Sequence, residues 1–134
     1  MRFQKLWRVL AVLLMVVSPN GWAQSSIQVS QVRQGSLTDA DKRLDSDGSR
    51  YDWYVLQGRS GQRVKIELKS PSFKPYLVLL DRDGTELMSH CGGSEGQPAR
   101  IEMTLPYTGR YHIRVNSLHK DGVGRYTLSI KESS

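Results

Sequence analysis

The residues best suited to chemistry are the aspartates between residues 39 and 52, where carboxylates are unusually dense. The five are Asp39, Asp41, Asp45, Asp47 and Asp52. Clusters of this kind suit calcium, which takes about six to eight oxygen ligands. The stretch Asp45-Ser46-Asp47-Gly48 is similar to part of a calcium loop, but the glutamate that completes an EF-hand is missing at the required offset. We therefore predict a solvated acidic loop and no cofactor, with Asp45, Asp47 and Asp52 as the candidate ligands if calcium binds.

His90 and Cys91 are a second candidate pair, because a thiolate beside an imidazole is a common catalytic nucleophile. If these adjacent residues lie on a strand, however, their side chains point to opposite faces and cannot hydrogen-bond. His90, His112 and His119 also lack metal-ligand spacing with Cys91. We therefore predict that the protein is not an enzyme.

Cys91 is the only cysteine of the 134-residue chain, so no intrachain disulfide can form. Because free cysteines are usually buried, we predict that Cys91 is buried on a strand. The alternative in an oxidising compartment is a disulfide to a second chain. The protein is therefore predicted to be a monomer or a Cys91-linked dimer.

The elements that would position these residues are strands, because apolar and polar residues alternate through much of the chain. The clearest sets are Val64, Ile66 and Leu68; Ile101, Met103 and Leu105; Tyr111, Ile113 and Val115; and Tyr126, Leu128 and Ile130. A period of two predicts strands with one face in the core and one in water. About eight such runs, separated by turns, predict an all-β fold, and an antiparallel jelly-roll β-sandwich is our first choice. Residues 36–50 are polar and are predicted to form a long surface loop.

Residues 1–23 are predicted to be a signal peptide. Three cations precede an apolar run at residues 9–17, and the small residues Gly21 and Ala23 occupy the positions that a signal peptidase reads. The run has nine residues, whereas a membrane span takes about 20. Cleavage after Ala23 leaves residues 24–134 as one β-sandwich domain of a periplasmic or secreted protein without a membrane span.

The charge balance argues against nucleic acid as the partner. The chain carries 19 Lys or Arg and 13 Asp or Glu, a net charge of +6. Removal of Arg2, Lys5 and Arg8 with the signal peptide lowers the net charge to +3. The remaining cations are scattered along the sequence, whereas a nucleic-acid-binding domain usually has a concentrated basic patch.

Two kinds of side chain are predicted to face outward and bind a partner. If Tyr54 and Leu56 face the core, alternation places Trp53 outside, where an indole suits a sugar ring or a protein partner. The alternative is that residues 36–50 cover Trp53. The same alternation predicts that six basic side chains also face outward. They are Arg63, Lys65, Arg110, His112, Arg114 and Arg125.

If the strands that carry these cations are neighbours, they form a basic face for an anionic polymer or an acidic protein. The alternative is that outward charges only solvate the strands and prevent edge pairing. The predicted binding residues are Trp53, Arg63, Lys65, Arg110 and Arg114.

Several short blocks follow one another in order along residues 24–134. They include Gly35-Ser36-Leu37, Tyr51-Asp52-Trp53-Tyr54, Gly61-Gln62-Arg63-Val64, Pro75-Tyr76-Leu77, Thr108-Gly109-Arg110-Tyr111 and Gly124-Arg125-Tyr126-Thr127-Leu128. In this order they resemble the bacterial pre-peptidase C-terminal domain family. The resemblance implies a non-catalytic jelly-roll β-sandwich of a kind usually appended to exported enzymes, in which some members bind substrate polymers or assist export. Related domains can bind calcium through acidic residues, but Lys74 and His90-Cys91 stand where family members often carry acids, so the resemblance does not carry a calcium site over.

A second resemblance is to the periplasmic inhibitors of goose-type lysozyme, which are stand-alone exported domains of this size. The Tyr51-Asp52-Trp53-Tyr54 block and the Thr108-Gly109-Arg110-Tyr111 turn fit either family. We therefore predict an exported, non-catalytic binding or accessory module that contacts an exported protein or an envelope polysaccharide. The alternative is a periplasmic inhibitor of a lytic enzyme such as goose-type lysozyme.

Overall fold

The fold consists of strands in the computed structural model, which describes residues 25–93 and 96–133. The strands are β1 (Ser25–Ile27), β2 (Val32–Leu37), β3 (Lys42–Arg43), β4 (Arg50–Gly58), β5 (Arg63–Lys69), β6 (Pro75–Leu80), β7 (Glu86–Cys91), β8 (Ala99–Thr104), β9 (Gly109–Ser117) and β10 (Gly124–Glu132). The predicted signal peptide, residues 1–23, lies outside the described residues. Within the described part of the chain, no helix is long and apolar enough to cross a membrane.

The strands form two sheets that pack face to face. Sheet A has the order β1-β4-β9-β6-β7, with β3 beside β4, and sheet B has the order β2-β10-β5-β8. Neighbouring strands are antiparallel except β1 and β4, which run parallel. The longer strands, β2 and β4 to β10, pass between the sheets in the order of two interlocked Greek keys. The predicted jelly-roll β-sandwich is therefore confirmed, with β1 and β3 as additions to it.

The core lies between the sheets and is built from the alternating apolar residues. Leu56 and Ile113 of sheet A and Ile66 and Leu128 of sheet B are fully buried there. Their neighbours along each strand point the other way, because successive side chains of a strand face opposite sides. Burial of one set of side chains therefore determines which residues lie on the outer surfaces.

Residues 36–50 are only partly a loop. The first two complete β2, and β3 forms beside the start of β4. The Asp41 carboxylate accepts a hydrogen bond from the Thr38 N–H at 2.7 Å, and the Asp47 carboxylate accepts one from the Ser49 N–H at 2.9 Å. Short polar side chains that bond to nearby backbone stabilise turns, which explains the folded path of this Asp-rich stretch.

Candidate functional site

Four connecting segments meet at one end of the sandwich, which we call the loop end. They are residues 38–49, 70–74, 92–98 (of which 94 and 95 lie outside the described residues) and 118–123. They meet because Tyr51 near the start of β4 pairs with Asn116 near the end of β9. β6 begins at the same level, since Pro75 pairs with Ser117.

The last of these segments is held by hydrogen bonds along its length. The Leu118 N–H donates to the carbonyl oxygen of Lys74 at 2.8 Å. The Ser117 hydroxyl donates to the His119 carbonyl oxygen at 2.7 Å and accepts from the His119 N–H at 3.1 Å. The Gly122 N–H donates to the same His119 carbonyl oxygen at 3.1 Å. These bonds fix the backbone of the segment without any partner.

The side chain of Arg50 hydrogen-bonds to the backbone of this segment. Its side chain is buried, and its Nη1 donates to the carbonyl oxygen of Lys120 at 3.2 Å. Its Nη2 forms an ion pair with the Asp39 carboxylate at 2.6 Å. The Asn116 amide donates to the Ser49 hydroxyl at 2.9 Å and to the Arg50 carbonyl oxygen at 2.7 Å. Because a guanidinium presents several donors in a planar fork, one side chain joins two segments of the loop end.

The surface of segment 118–123 combines apolar and cationic side chains. Leu118 and Val123 are 37% and 39% exposed, which is a large fraction for aliphatic residues. Lys120 is also exposed. His119 helps to line an adjacent cleft of about 590 Å³. The segment is thus an exposed, hydrogen-bonded turn beside a cleft, with apolar area available for contact.

Trp53 lies on the outer face of sheet A, as its alternation with buried Tyr54 predicts. His112 stacks on the indole with 5.2 Å between ring centroids, and Tyr51 meets it edge-on at 6.1 Å. Arg114 is the cross-strand neighbour of Trp53. Trp53 is therefore half-buried among side chains of its own face.

Three polar atoms on this face are buried without a hydrogen-bond partner among the described residues, namely His112 Nδ1, Arg114 Nε and Asn116 Oδ1. Burial lowers the pKa of His112, the charge of Arg110 lowers it further, and Asp81 acts in the opposite direction. The imidazole is therefore neutral at pH 7. Arginine and aromatic side chains of this kind often dominate protein interfaces.

The structure divides the predicted basic residues between the two sheets. Arg110 and Arg114 belong to β9 and lie on the outer face of sheet A. Arg63 and Lys65 belong to β5 and lie on the outer face of sheet B. Alternation assigns a residue to one side of its own sheet, but it does not say which sheet that is.

The three candidate calcium ligands do not converge either. The Ser49 hydroxyl and N–H both donate to Asp47 Oδ1, and these bonds lower the pKa of Asp47. Asp45 is exposed, whereas Asp52 is half-buried. In the part of the chain that the structure describes, no group of three or more His, Cys, Asp or Glu side chains is arranged to hold a metal ion.

Asp52, Tyr54 and Tyr126 form a hydrogen-bonded chain between the sheets that sequence reasoning missed. The Tyr126 hydroxyl donates to the Asp52 carboxylate at 2.5 Å and lies 2.7 Å from the Tyr54 hydroxyl. Burial raises the pKa of Asp52 to about 6, the hydrogen bond from Tyr126 opposes this rise, and the neighbouring Asp41 carboxyl adds to it. Burial also raises the pKa of Tyr126. The available signal was that Asp52 has the same alternation as the core residue Tyr54.

Cys91 is exposed, so the prediction that it is buried is wrong. It ends β7, which is an edge strand of sheet A and has a sheet neighbour on one side only. The Nδ1 atom of the adjacent His90 accepts a hydrogen bond from the Arg100 N–H of β8 at 3.0 Å. His90 thus contacts sheet B and not Cys91.

Residues 92–96 have the Gly-x-Ser-x-Gly spacing found around the nucleophile of many hydrolases. That motif presents its serine on a sharp turn from a strand into a helix. Here the segment joins strand β7 to strand β8, and Ser94 lies outside the described residues. The spacing alone therefore does not indicate a hydrolase.

No family model matches the chain. A curated relative, the inhibitor of g-type lysozyme from Escherichia coli strain K12, is 25% identical over 143 aligned positions. The alignment covers 98% of this chain and 98% of the relative. This chain is similar, almost from end to end, to a lysozyme inhibitor.

Solved structures with this fold include both families that the sequence resembles. The pre-peptidase C-terminal domain of collagenase from Bacillus anthracis has a TM-score of 0.61 and 18% identity, covering 85% of this chain and 100% of that one. A periplasmic inhibitor of g-type lysozyme from Aeromonas hydrophila has a TM-score of 0.56 and 17% identity, covering 83% and 100%. At these identities the likeness establishes the fold, and both structural resemblances are confirmed.

Proposed function

We propose that this chain is an exported binding protein without catalytic activity of its own, and that it inhibits a lysozyme of the goose type. The similarity to a curated inhibitor of such an enzyme over 98% of both chains supports this partner. The proposed place of action is the periplasm or the space outside the cell.

The observation that carries the proposal is that segment 118–123 is exposed and is held by its own hydrogen bonds. A loop that is already ordered loses less conformational entropy on binding than a flexible loop of the same composition. Leu118 and Val123 add exposed apolar area, which favours burial against a partner. These are the properties that a protein needs in order to occupy the cleft of an enzyme.

Charge also favours an acidic cleft as the target. Most glycosidases cleave their substrates with a pair of carboxylates, so their clefts carry negative charge. Lys120 is exposed on segment 118–123, and Lys74 lines the cleft beside it. Asp121 is the acid of this segment, and the other acids close by lie in residues 38–49. Complementary charge speeds association and makes it depend on salt.

The test is a titration of g-type lysozyme, with lysis of a bacterial suspension as the readout. The wild-type protein should abolish lysis at a near-equimolar ratio. Leu118→Asp and Lys120→Glu each change an exposed side chain of segment 118–123 and should weaken inhibition by roughly 10-fold or more. Arg59→Glu changes an exposed cation at the opposite end of the sandwich and should inhibit like the wild type.

Two outcomes would contradict this proposal. Full inhibition by both Leu118→Asp and Lys120→Glu would show that the loop end is not the binding site. Absence of a complex between the wild-type protein and the lysozyme would show that the partner is wrong.

A second candidate function is binding of an envelope polysaccharide or another exported protein at the Trp53 face. The stacked pair of Trp53 and His112, with the unpartnered Arg114 Nε beside it, supports this alternative. The test is retention of material from an envelope extract by the immobilised protein. Retention that is lost in Trp53→Ala and kept in Arg59→Glu would support the alternative, and equal retention by both would contradict it.

A further inference from the structure

The outer face of sheet B concentrates positive charge. Its outward cations are Arg63, Lys65 and Lys69 of β5, Arg125 and Lys131 of β10, and Arg100 of β8. Its outward acids are Glu67 and Glu102. We call this surface the basic face; these eight side chains give it a net charge of +4.

The rest of the domain is nearly neutral. Residues 24–134 carry 16 Lys or Arg and 13 Asp or Glu, a net charge of +3. Since the basic face accounts for +4, the remainder of these residues has a net charge of −1. The positive excess of the domain is therefore confined to one side of the sandwich.

Edge protection does not explain this distribution. Natural sheets often place lysine on edge strands to prevent pairing with other chains. The edge strands of sheet B are β2 and β8, yet five of the six cations lie on the central strands β5 and β10. β2 contributes no charged residue to the basic face.

Stabilisation of the sheet does not explain it either. Lys65 and Lys131 lie directly opposite each other, and like charges in that arrangement destabilise a sheet. Glu67 forms an ion pair with Arg100 at 2.6 Å, and Glu102 lies opposite Lys65. The other cations of the basic face have Ser, Thr or Lys as cross-strand partners.

The shape of the basic face favours a broad and flat partner. The strand spacings make it about 14 Å across the four strands and about 20 Å along β5. Its uncharged outward residues are Val32, Gln34, Ser36, Thr104, Thr127 and Ser129. Recognition of sugar rings and of protein hot spots relies on aromatic anchors, which this set does not contain.

We propose that the basic face binds the headgroups of an anionic phospholipid bilayer and holds the protein at the membrane surface. Each lysine or arginine near an anionic bilayer adds favourable energy, and long side chains on neighbouring strands reach several phosphates at once. The inference is independent of the proposed function, because the basic face contains neither Trp53 nor segment 118–123.

The test is sedimentation with vesicles of about 30% phosphatidylglycerol in phosphatidylcholine. The protein is purified from the exported fraction of cells that express the full chain. It should sediment with these vesicles at about 50 mM salt and dissociate from them at about 500 mM salt. It should not bind vesicles of pure phosphatidylcholine.

A triple variant with a matched control locates the contact. Lys65→Gln, Arg125→Gln and Lys131→Gln together should weaken vesicle binding on the order of 100-fold. The control combines Lys42→Gln, Arg59→Gln and Arg110→Gln, which lie outside the basic face and give the same net charge. It should bind vesicles like the wild type.

Three outcomes would overturn the proposal. The first is that the wild-type protein does not bind anionic vesicles at low salt. The second is that the control variant loses binding as fully as the triple variant. In the third, soluble dextran sulfate binds through the same three residues more tightly than the vesicles do, which assigns the face to an anionic polysaccharide. Lysozyme titration separates this proposal from the proposed function, since the basic-face variant should inhibit like the wild type.

Discussion

The hydroxyl of Tyr126 on sheet B donates a 2.5 Å hydrogen bond to the carboxylate of Asp52 on sheet A. The bond joins the two sheets near the loop end, because Asp52 follows Arg50 by two residues in β4. A carboxylate between two sheets loses part of its hydration, and the tyrosine hydroxyl replaces some of what is lost. The residues beneath the loop end therefore include a hydrogen-bonded, titratable carboxyl group as well as apolar core side chains.

Asp52 should make the stability of the protein depend on pH. Burial raises the pKa of Asp52 to about 6, and the nearby Asp41 carboxyl contributes. The folded protein therefore binds this proton more tightly than the unfolded chain does, so the group's contribution to the free energy of unfolding falls as pH rises from about 4 to about 6. Asp52→Asn removes this titration. The free energy of unfolding of the variant, relative to that of the wild type, should therefore rise by about 1 kcal/mol from pH 4 to pH 7.5, allowing for solvent screening.

Urea unfolding of the wild type and of Asp52→Asn at the two pH values measures that difference. The gain should be larger at the higher pH, where the wild-type carboxyl is charged. A difference between the two proteins that is the same at both pH values would contradict the expected protonation of Asp52 in the fold.

Removal of the Tyr126 hydroxyl should destabilise the sandwich. Tyr126→Phe leaves the Asp52 carboxyl and the Tyr54 hydroxyl without their shared partner, which should lower the free energy of unfolding by about 2 kcal/mol. Tyr51→Phe is the control, because the Tyr51 hydroxyl makes no hydrogen bond among the described residues. Equal stabilities of the two variants in urea would argue that the buried chain contributes nothing.

Arg50 should affect the inhibition of lysozyme indirectly, because its side chain positions segment 118–123. Arg50→Lys keeps the charge but cannot hold both the Lys120 carbonyl oxygen and the Asp39 carboxylate. We expect the complex with lysozyme to dissociate roughly 10-fold faster, with little change in the association rate. Surface plasmon resonance measures both rates. A melting temperature that falls while the dissociation rate stays the same would assign Arg50 a purely structural role.

Cys91 should react in the folded protein, because it is exposed on the edge strand β7. One equivalent of a maleimide should label the monomer without denaturant, and Cys91→Ser should not be labelled. If the protein is a disulfide-linked dimer, non-reducing electrophoresis should show it and labelling should require a reductant. Labelling of a monomer only after unfolding would contradict the exposed position.

Alternation predicted which side chains of a strand face the core and which face outward, wherever one face of the strand is buried. Trp53 and Tyr54 lie on opposite sides of sheet A, as predicted, because neighbouring side chains along a strand must diverge. The parallel pairing of β1 with β4 was not predicted. Strand β1 has three residues, two of them serines, and its pairing of Ser25 with Tyr54 depends on a distant part of the chain.

The candidate sites could not be assembled from the sequence, because they depend on which strands become neighbours. Arg63 and Arg110 both face outward, yet they lie on opposite sides of the sandwich. Segment 118–123 has no distinctive composition, and its hydrogen bond from Arg50 joins two residues that lie 70 positions apart. The burial of Cys91 was mispredicted for a similar reason, since the pattern of β7 does not reveal that it becomes an edge strand.

The most direct test of the account is calorimetric titration of g-type lysozyme with the wild-type protein, with and without a cell-wall oligosaccharide that fills the enzyme's cleft. If segment 118–123 enters that cleft, binding should be one to one, and the apparent Kd should rise linearly with the free concentration of the oligosaccharide. An apparent Kd that does not change with the oligosaccharide, or an absence of binding heat and of inhibition, would contradict the account.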